Sequence, residues 1–352
     1  MMKRARWLEG MLDEIAWRPL MWALLVVSPS VILFFIFGNT HWLATTALVS
    51  MCTMIVEERL VLTPFGVLLH GVAITAGFVI LVTASSSSTF FVALCAVMTV
   101  ASIWLTIKGH ALRSLGNFTF IPTLYLASES LEASTAQQLI VHAAHELPYI
   151  LIGLVPVIIL AVLRHSAQER SSSFVIYGQR TFFLLSHRTD FGERRQVVEA
   201  CLTIACAVGL AATLVEWQSL NHGQWVIWSA ASVVTGESGT EHRKLFDRAF
   251  GALIGVPVGI VAGWELPHTA SAYGMSVIAA LLTLIAFRRY ILGFGSRCAF
   301  IALALTVGGQ AVSVAGERII NVILGGLIGI TCVLVVRWLS SAFGNRPHSQ
   351  SH

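Results

Sequence analysis

The chain has 352 residues, of which 56% are hydrophobic and only 11% charged, and its mean hydropathy is +0.78. A soluble domain carries about 25% charged residues, so these side chains cannot cover the surface of a water-soluble globule of this size. The composition excludes an ordinary soluble enzyme, a disordered protein and a nucleic-acid binder, and the net charge of +4 says less than the placement of the charges.

Apolar runs follow one another along the chain. Six fall at about 20–37, 41–56, 62–82, 88–107, 111–127 and 146–163, and six more at about 197–215, 224–236, 248–264, 271–287, 291–313 and 319–336. A crossing takes about 20 apolar residues. The pattern therefore predicts an all-α membrane protein with about twelve transmembrane helices, short loops, one linker and two tails. The second and eighth runs are short for a crossing and read as broken or kinked helices. The first run is long and lacks a small-residue cleavage site, so it reads as a retained span and not a secretory signal. Residues 6–17 (RWLEGMLDEIAW) put Trp7, Met11 and Ile15 on one face, and residues 174–185 (FVIYGQRTFFLL) mix apolar residues with Arg180. Each reads either as an interfacial helix or as a packed surface helix. Cys52, Cys95, Cys201, Cys206, Cys298 and Cys332 all lie in apolar stretches with no CxxC pair, and read as buried thiols.

The basic residues test the count. With the N-terminus in the cytoplasm and twelve alternating spans, 21 of the 22 Lys and Arg residues fall on the inner side, Arg318 being the exception. The positive-inside rule thus favours twelve spans with both termini cytoplasmic. The outer loops would carry Ser85–Ser88 and the acidic residues Glu129, Glu132 and Glu146.

The two halves resemble each other. Trp42 pairs with Trp225, Gly66 with Gly251, Gly109 and Arg113 with Gly293 and Arg297, and Gly153 and Arg164 with Gly326 and Arg337, in order and at nearly constant offset. Six spans is an even number, so both halves enter the membrane the same way. The expected architecture is two parallel six-helix repeats about a pseudo-two-fold axis along the membrane normal. The units are 1–163 (first repeat with its N-terminal segment), 164–196 (cytoplasmic linker), 197–338 (second repeat) and 339–352 (tail). A fused repeat makes a pseudo-dimeric monomer plausible, with a homo-oligomer as the alternative.

The second repeat contains GQWVIWSAASVVTGES at 223–238, RAFGALIGVPVGIVAG at 248–263 and ERIINVILGGLIGI at 317–330. From about Arg195 to Arg337 this stretch resembles the fusaric acid resistance family, also called aromatic acid exporters. The first half resembles it weakly, with Thr63 where Arg248 stands and His70 where Gly255 stands. The resemblance implies export of aromatic or other organic acids, often with a periplasmic adaptor protein, and distant kinship with plant aluminium-activated malate transporters. The large cytosolic domain typical of such proteins is missing here or reduced to residues 164–196.

A charge within the apolar region needs a partner, water or a substrate. Arg297 sits about seven residues, roughly 10 Å, into its run, and Arg113 is its repeat mate. The two guanidiniums read either as a paired site gripping a carboxylate or as anchors that snorkel to lipid phosphates. Arg248 either contacts substrate or pairs with Asp247 or Glu237. Gly251, Gly255, Gly259 and Gly263 share a helix face, for close packing or for lining a path. Trp42, Trp225 and Trp228 read as an interfacial belt or as an aromatic face for substrate. His70, inside a span, reads as a core histidine or as a proton-coupling group. His142, His145 and Glu146 (HAAHE) make a weak metal signal out of the zincin order. Glu216, Glu317 and Arg318 are expected at the outer rim. No Walker motif is present, and no cofactor is expected. The reading is an exporter of organic, chiefly aromatic carboxylate, anions driven by protons or potential, against a passive anion channel or a non-transporting envelope scaffold.

Overall fold

The computed structural model describes residues 13–108, 112–133, 138–169, 191–234 and 241–344. The described residues form twelve α-helices at the twelve expected places and no β-sheet. In chain order they are α1 (Trp17–Phe37), α2 (Leu48–Leu60), α3 (Pro64–Ala84), α4 (Ser88–Trp104), α5 (Leu112–Ala133) and α6 (Leu139–Glu169). They continue as α7 (Phe191–Gln218), α8 (Gln224–Val233), α9 (Glu241–Glu265), α10 (Ala270–Leu282), α11 (Tyr290–Val307) and α12 (Val312–Gly344).

Seven of these, α1, α3, α6, α7, α9, α11 and α12, are long and apolar enough to cross a membrane, and α4 and α10 are apolar but shorter. The second run does not begin as an α-helix: it opens with a π-helical turn over Trp42–Ala47 before α2. The eighth is a helix of ten residues. Helix ends follow local chemistry. Thr63 accepts a hydrogen bond from the Gly66 amide at 3.0 Å, with Pro64 opening α3, and Thr269 caps α10 through the amide of Ala272. α1 ends at Gly38, whose φ of 67° is the left-handed region that glycine enters without steric cost.

Large apolar side chains such as Phe65, Ile140, Leu163, Phe246, Trp264 and Ile320 stand exposed along these helices. In water that surface would be an aggregation hazard; in hydrocarbon it is the natural outer face. The glycines Gly251, Gly255, Gly259 and Gly263 of α9 lie against Phe294, Gly295, Ala299 and Thr306 of α11, so close that an added Cβ would strike them. Close packing is therefore what that stripe does. Gly325 and Gly329 of α12 meet the backbone of α8 at Val226 and Ala230 in the same way.

Within the first half α2 packs on α6, α3 on α5 and on α6, and α4 on α5; within the second, α8 packs on α12, α9 on α11 and on α12, and α10 on α11. Across the halves α4 packs on α7 and α10 on α1. Thr46 donates to the Tyr149 carbonyl and Ser229 to that of Val322. Buried Glu57 pairs with Arg164 at 2.6 Å, and buried Glu241 with Arg337 at 2.5 Å. The backbone before α1 joins that after α10, where Arg288 N donates to Glu14 O and Ala16 N to Ala286 O.

Several expectations need correction. Helix covers both ends of the expected 164–196 linker and the start of the 339–352 tail, because α6, α7 and α12 run past their apolar cores. Most of residues 6–17 and all of 174–185 lie outside the described residues. The six cysteines are free, but Cys206 is exposed, being on the outward face of α7. Glu129, Glu132 and Glu146 are on helices α5 and α6, not in loops, and Glu146 is only 4% exposed.

Candidate functional site

In the second half the side chains of Arg248 and Arg318 are buried and that of Arg297 is half-buried. Arg248, about two turns into α9, reaches α8 and α11. Its Nε donates to Ser229 Oγ at 3.2 Å, one amino group donates to the Tyr290 hydroxyl at 2.9 Å, and the guanidinium lies 4.4 Å from the Phe294 ring centroid. These partners, among the described residues, replace the expected pairing with Asp247; Glu237 lies outside them. Arg297, on α11, donates to the Thr283 hydroxyl and carbonyl at 3.2 Å each. It lies within electrostatic range of Arg248, Arg318 and, across the halves, Cys52 of α2.

Arg318 is buried against the α8 end of the α7–α8 loop. It is 4% exposed, its guanidinium lies 4.7 Å from the Trp225 ring centroid, and its Nε and one amino group have no hydrogen-bond partner among the described residues. Beside Trp225, Gln224 is 1% exposed with both amide atoms unpartnered. The other face of Trp225 belongs to His222, stacked at 4.7 Å. Arg248, Arg297 and Arg318 thus share one feature: neutral hydroxyls, a carbonyl and ring faces surround them, as they do Arg59 of the first half, which donates to Ser114 and lies over Phe118, whereas several other cations are held by carboxylates. Arg164 has Glu57 and Glu58, Arg337 has Glu241, and Arg289 has Glu14.

The remaining expected residues are spread out. Arg113 is half-buried in the first turn of α5. Trp42 packs edge-on against Tyr149 at 4.9 Å in the first half. Trp228 stacks on Tyr125 of α5 at 6.1 Å, with its indole nitrogen unpartnered among the described residues. The three tryptophans therefore turn into the bundle, and an outward belt is not what they form. His70 is 2% exposed on α3, where neither ring nitrogen makes a hydrogen bond within range and the Phe118 backbone is its polar neighbour. An apolar groove of about 540 Å³, lined by Ala96, Val100, Trp104 and Ala205 among others, opens between α4 and α7. It holds none of the expected site residues.

Reasoning from sequence missed Arg318 and Gln224 as interior groups. The one available signal was that Arg318 alone broke the charge asymmetry. It also missed His41, which joins His142, His145 and Glu146 in the first half: His41 Nδ1 lies 2.6 Å from Glu146 Oε1.

The seven long apolar helices define a multi-pass membrane protein. Residues 210–332, spanning the end of α7 to the middle of α12 and including Arg248, Arg297 and Arg318, match the model of the fusaric acid resistance protein-like family. The likeness read from the second half is thereby shown for that stretch. No curated protein and no solved structure matches the chain.

Proposed function

We propose that the protein moves organic anions, aromatic carboxylates foremost, out across a bacterial inner membrane. The observation that carries this reading is the set of interior guanidiniums held by neutral groups. Transferring an unpaired charge out of water costs several kcal/mol, and Arg remains protonated in any protein environment. A passing carboxylate supplies the missing counter-charge, and two parallel N–H···O bonds fix its orientation. Trp225, held between the Arg318 guanidinium and the His222 ring, fixes that guanidinium in place.

Twelve crossings, two parallel repeats and cytoplasmic termini belong to the same proposal. The matching helix pairs of the two halves support the repeat. So do the ion pairs Glu57–Arg164 and Glu241–Arg337, which occupy corresponding positions. The anion path runs in this reading along the second half, with Arg297 facing the first-half helix α2 and Arg113 as its repeat partner.

The test is flux in proteoliposomes over a panel of aromatic and aliphatic carboxylates. Saturable efflux of aromatic acids is expected, with Arg297→Ala and Arg113→Ala each slowing it about tenfold or more while the protein remains monodisperse, and with Lys restoring flux only in part. Normal flux in both variants, or no flux of any carboxylate through the wild type, overturns the proposal. Single-channel currents in a planar bilayer would assign a channel in place of a carrier.

A further inference from the structure

We propose that the first half binds a divalent transition-metal ion of the zinc class through His41, His145 and Glu146, independently of the anion path. His41 stands immediately before the π-helical turn Trp42–Ala47, and His145 and Glu146 lie in the second turn of α6. One ligand atom from each lies within 4.8 Å of the other two. Bound to one tetrahedral ion at about 2.0–2.1 Å, such atoms sit roughly 3.3 Å apart, a spacing reached by side-chain rotation that parts His41 Nδ1 from Glu146 Oε1, now 2.6 Å away, and draws the third ligand in. His142 offers a fourth ligand, its Nε2 3.9 Å from Glu146 Oε1.

The surroundings orient these groups as outer-shell partners orient metal ligands. Thr45 Oγ1 donates to Glu146 Oε2 at 2.5 Å, which leaves Oε1 turned toward His41 and His142. Tyr149 stacks on the His41 ring at 5.2 Å, and its hydroxyl accepts a hydrogen bond from Asn39 at 2.8 Å. The Glu146 carboxylate is nearly sealed from solvent, so a cation beside it offsets its desolvation. Imidazole nitrogens with one carboxylate oxygen suit zinc, cobalt, nickel and copper. His145 is exposed, so an ion reaches the site from solvent.

The second histidine–carboxylate cluster does not have this character. Glu132 accepts hydrogen bonds from the His222 amide at 2.8 Å through one oxygen and pairs with its ring at 3.1 Å through the other, and Glu129 is hydrogen-bonded to Tyr125. Glu132 clamps the loop between α7 and α8 at His222.

The experiment uses the full chain, purified through a tag without histidines, stripped with a chelator and titrated with Co²⁺ by visible absorption and with Zn²⁺ by calorimetry. Expected is one ion per chain with the d–d spectrum of a four-coordinate Co²⁺ site. Glu146→Gln and His145→Ala should each weaken binding about tenfold or more, and Glu132→Gln should leave it unchanged. His145 is exposed, so its removal keeps the packing intact even where the Glu146 variant misfolds. No saturable binding by the wild type, unchanged affinity in His145→Ala, or loss of binding in Glu132→Gln each overturns the proposal. Carboxylate flux plays no part in these readouts, so the site and the transport reading succeed or fail separately.

Discussion

At the scale of single residues, the energetic oddity is Arg318. Its charge lies in the bundle against an indole face and unpartnered Gln224, and the burial is not repaid by a carboxylate among the described residues. A group kept at a cost to stability is one whose removal stabilises the fold and harms the function. Arg318→Met keeps most of the side-chain volume, so its melting temperature in detergent should rise by a few degrees while carboxylate flux falls at least tenfold; a lower melting temperature with normal flux would show the guanidinium to be structural. His222 makes a pH-dependent counterpart outside the helices. The hydrogen bond with Glu132 raises its pKa, burial opposing, with Glu132, Glu129 and Glu317 adding to the rise. Since the folded value lies above the ordinary 6.5, its contribution is complete below pH 6.5 and is lost as pH rises through the folded value. Melts of the wild type and His222→Asn, which tolerates the left-handed backbone at that position, should differ at pH 6 and converge in alkaline buffer.

At the scale of helices, the sequence was highly legible. Twelve apolar runs appear as twelve helices, because in hydrocarbon every backbone group must bond within its own segment and hydropathy alone marks the segment. The glycine spacing of α9 also told its story, since small residues at every fourth position leave room for one partner, here α11. What the runs did not show was which polar residues turn inward: a Glu or Arg near a helix end reads alike whether it faces water, as a rim group does, or lies inside, as Glu146 and Arg318 do. That difference depends on neighbours far along the chain, such as His41 for Glu146 and Trp225 for Arg318. The packing itself is testable. At Gly259 a methyl group would meet the Ala299 carbonyl, whereas at Gly209 it would meet nothing within 4 Å. Gly259→Ala should therefore lower the melting temperature and the monodisperse yield, and Gly209→Ala should be neutral or stabilising by about 0.5–1 kcal/mol, the helix preference of alanine over glycine. Equal behaviour of the two variants would mean that α9 and α11 do not approach as closely as described.

At the scale of the whole molecule, the proposed anion path sets how the membrane potential would act. A path lined by fixed guanidiniums carries carboxylates as anions, so each passage moves net charge, and a potential of 100 mV is worth about 2.3 kcal/mol per charge. With the cell interior negative, that energy already drives anions outward without a co-transported proton. Had His70 served as the proton site, its ring nitrogens should reach a polar path; they are sealed on α3, with Leu154 packed against the neighbouring Gly71. Proteoliposomes loaded with a univalent aromatic carboxylate and given a potassium diffusion potential, negative inside, should therefore empty faster than at zero potential. Their steady-state gradient should approach about 50-fold per 100 mV, the value that 2.3 kcal/mol per charge sets. Imposing a pH gradient at zero potential should leave the rate nearly unchanged, and His70→Asn should respond to potential as the wild type does. Efflux that ignores potential and follows the pH gradient would instead make the exchange electroneutral, and His70 the first residue to revisit.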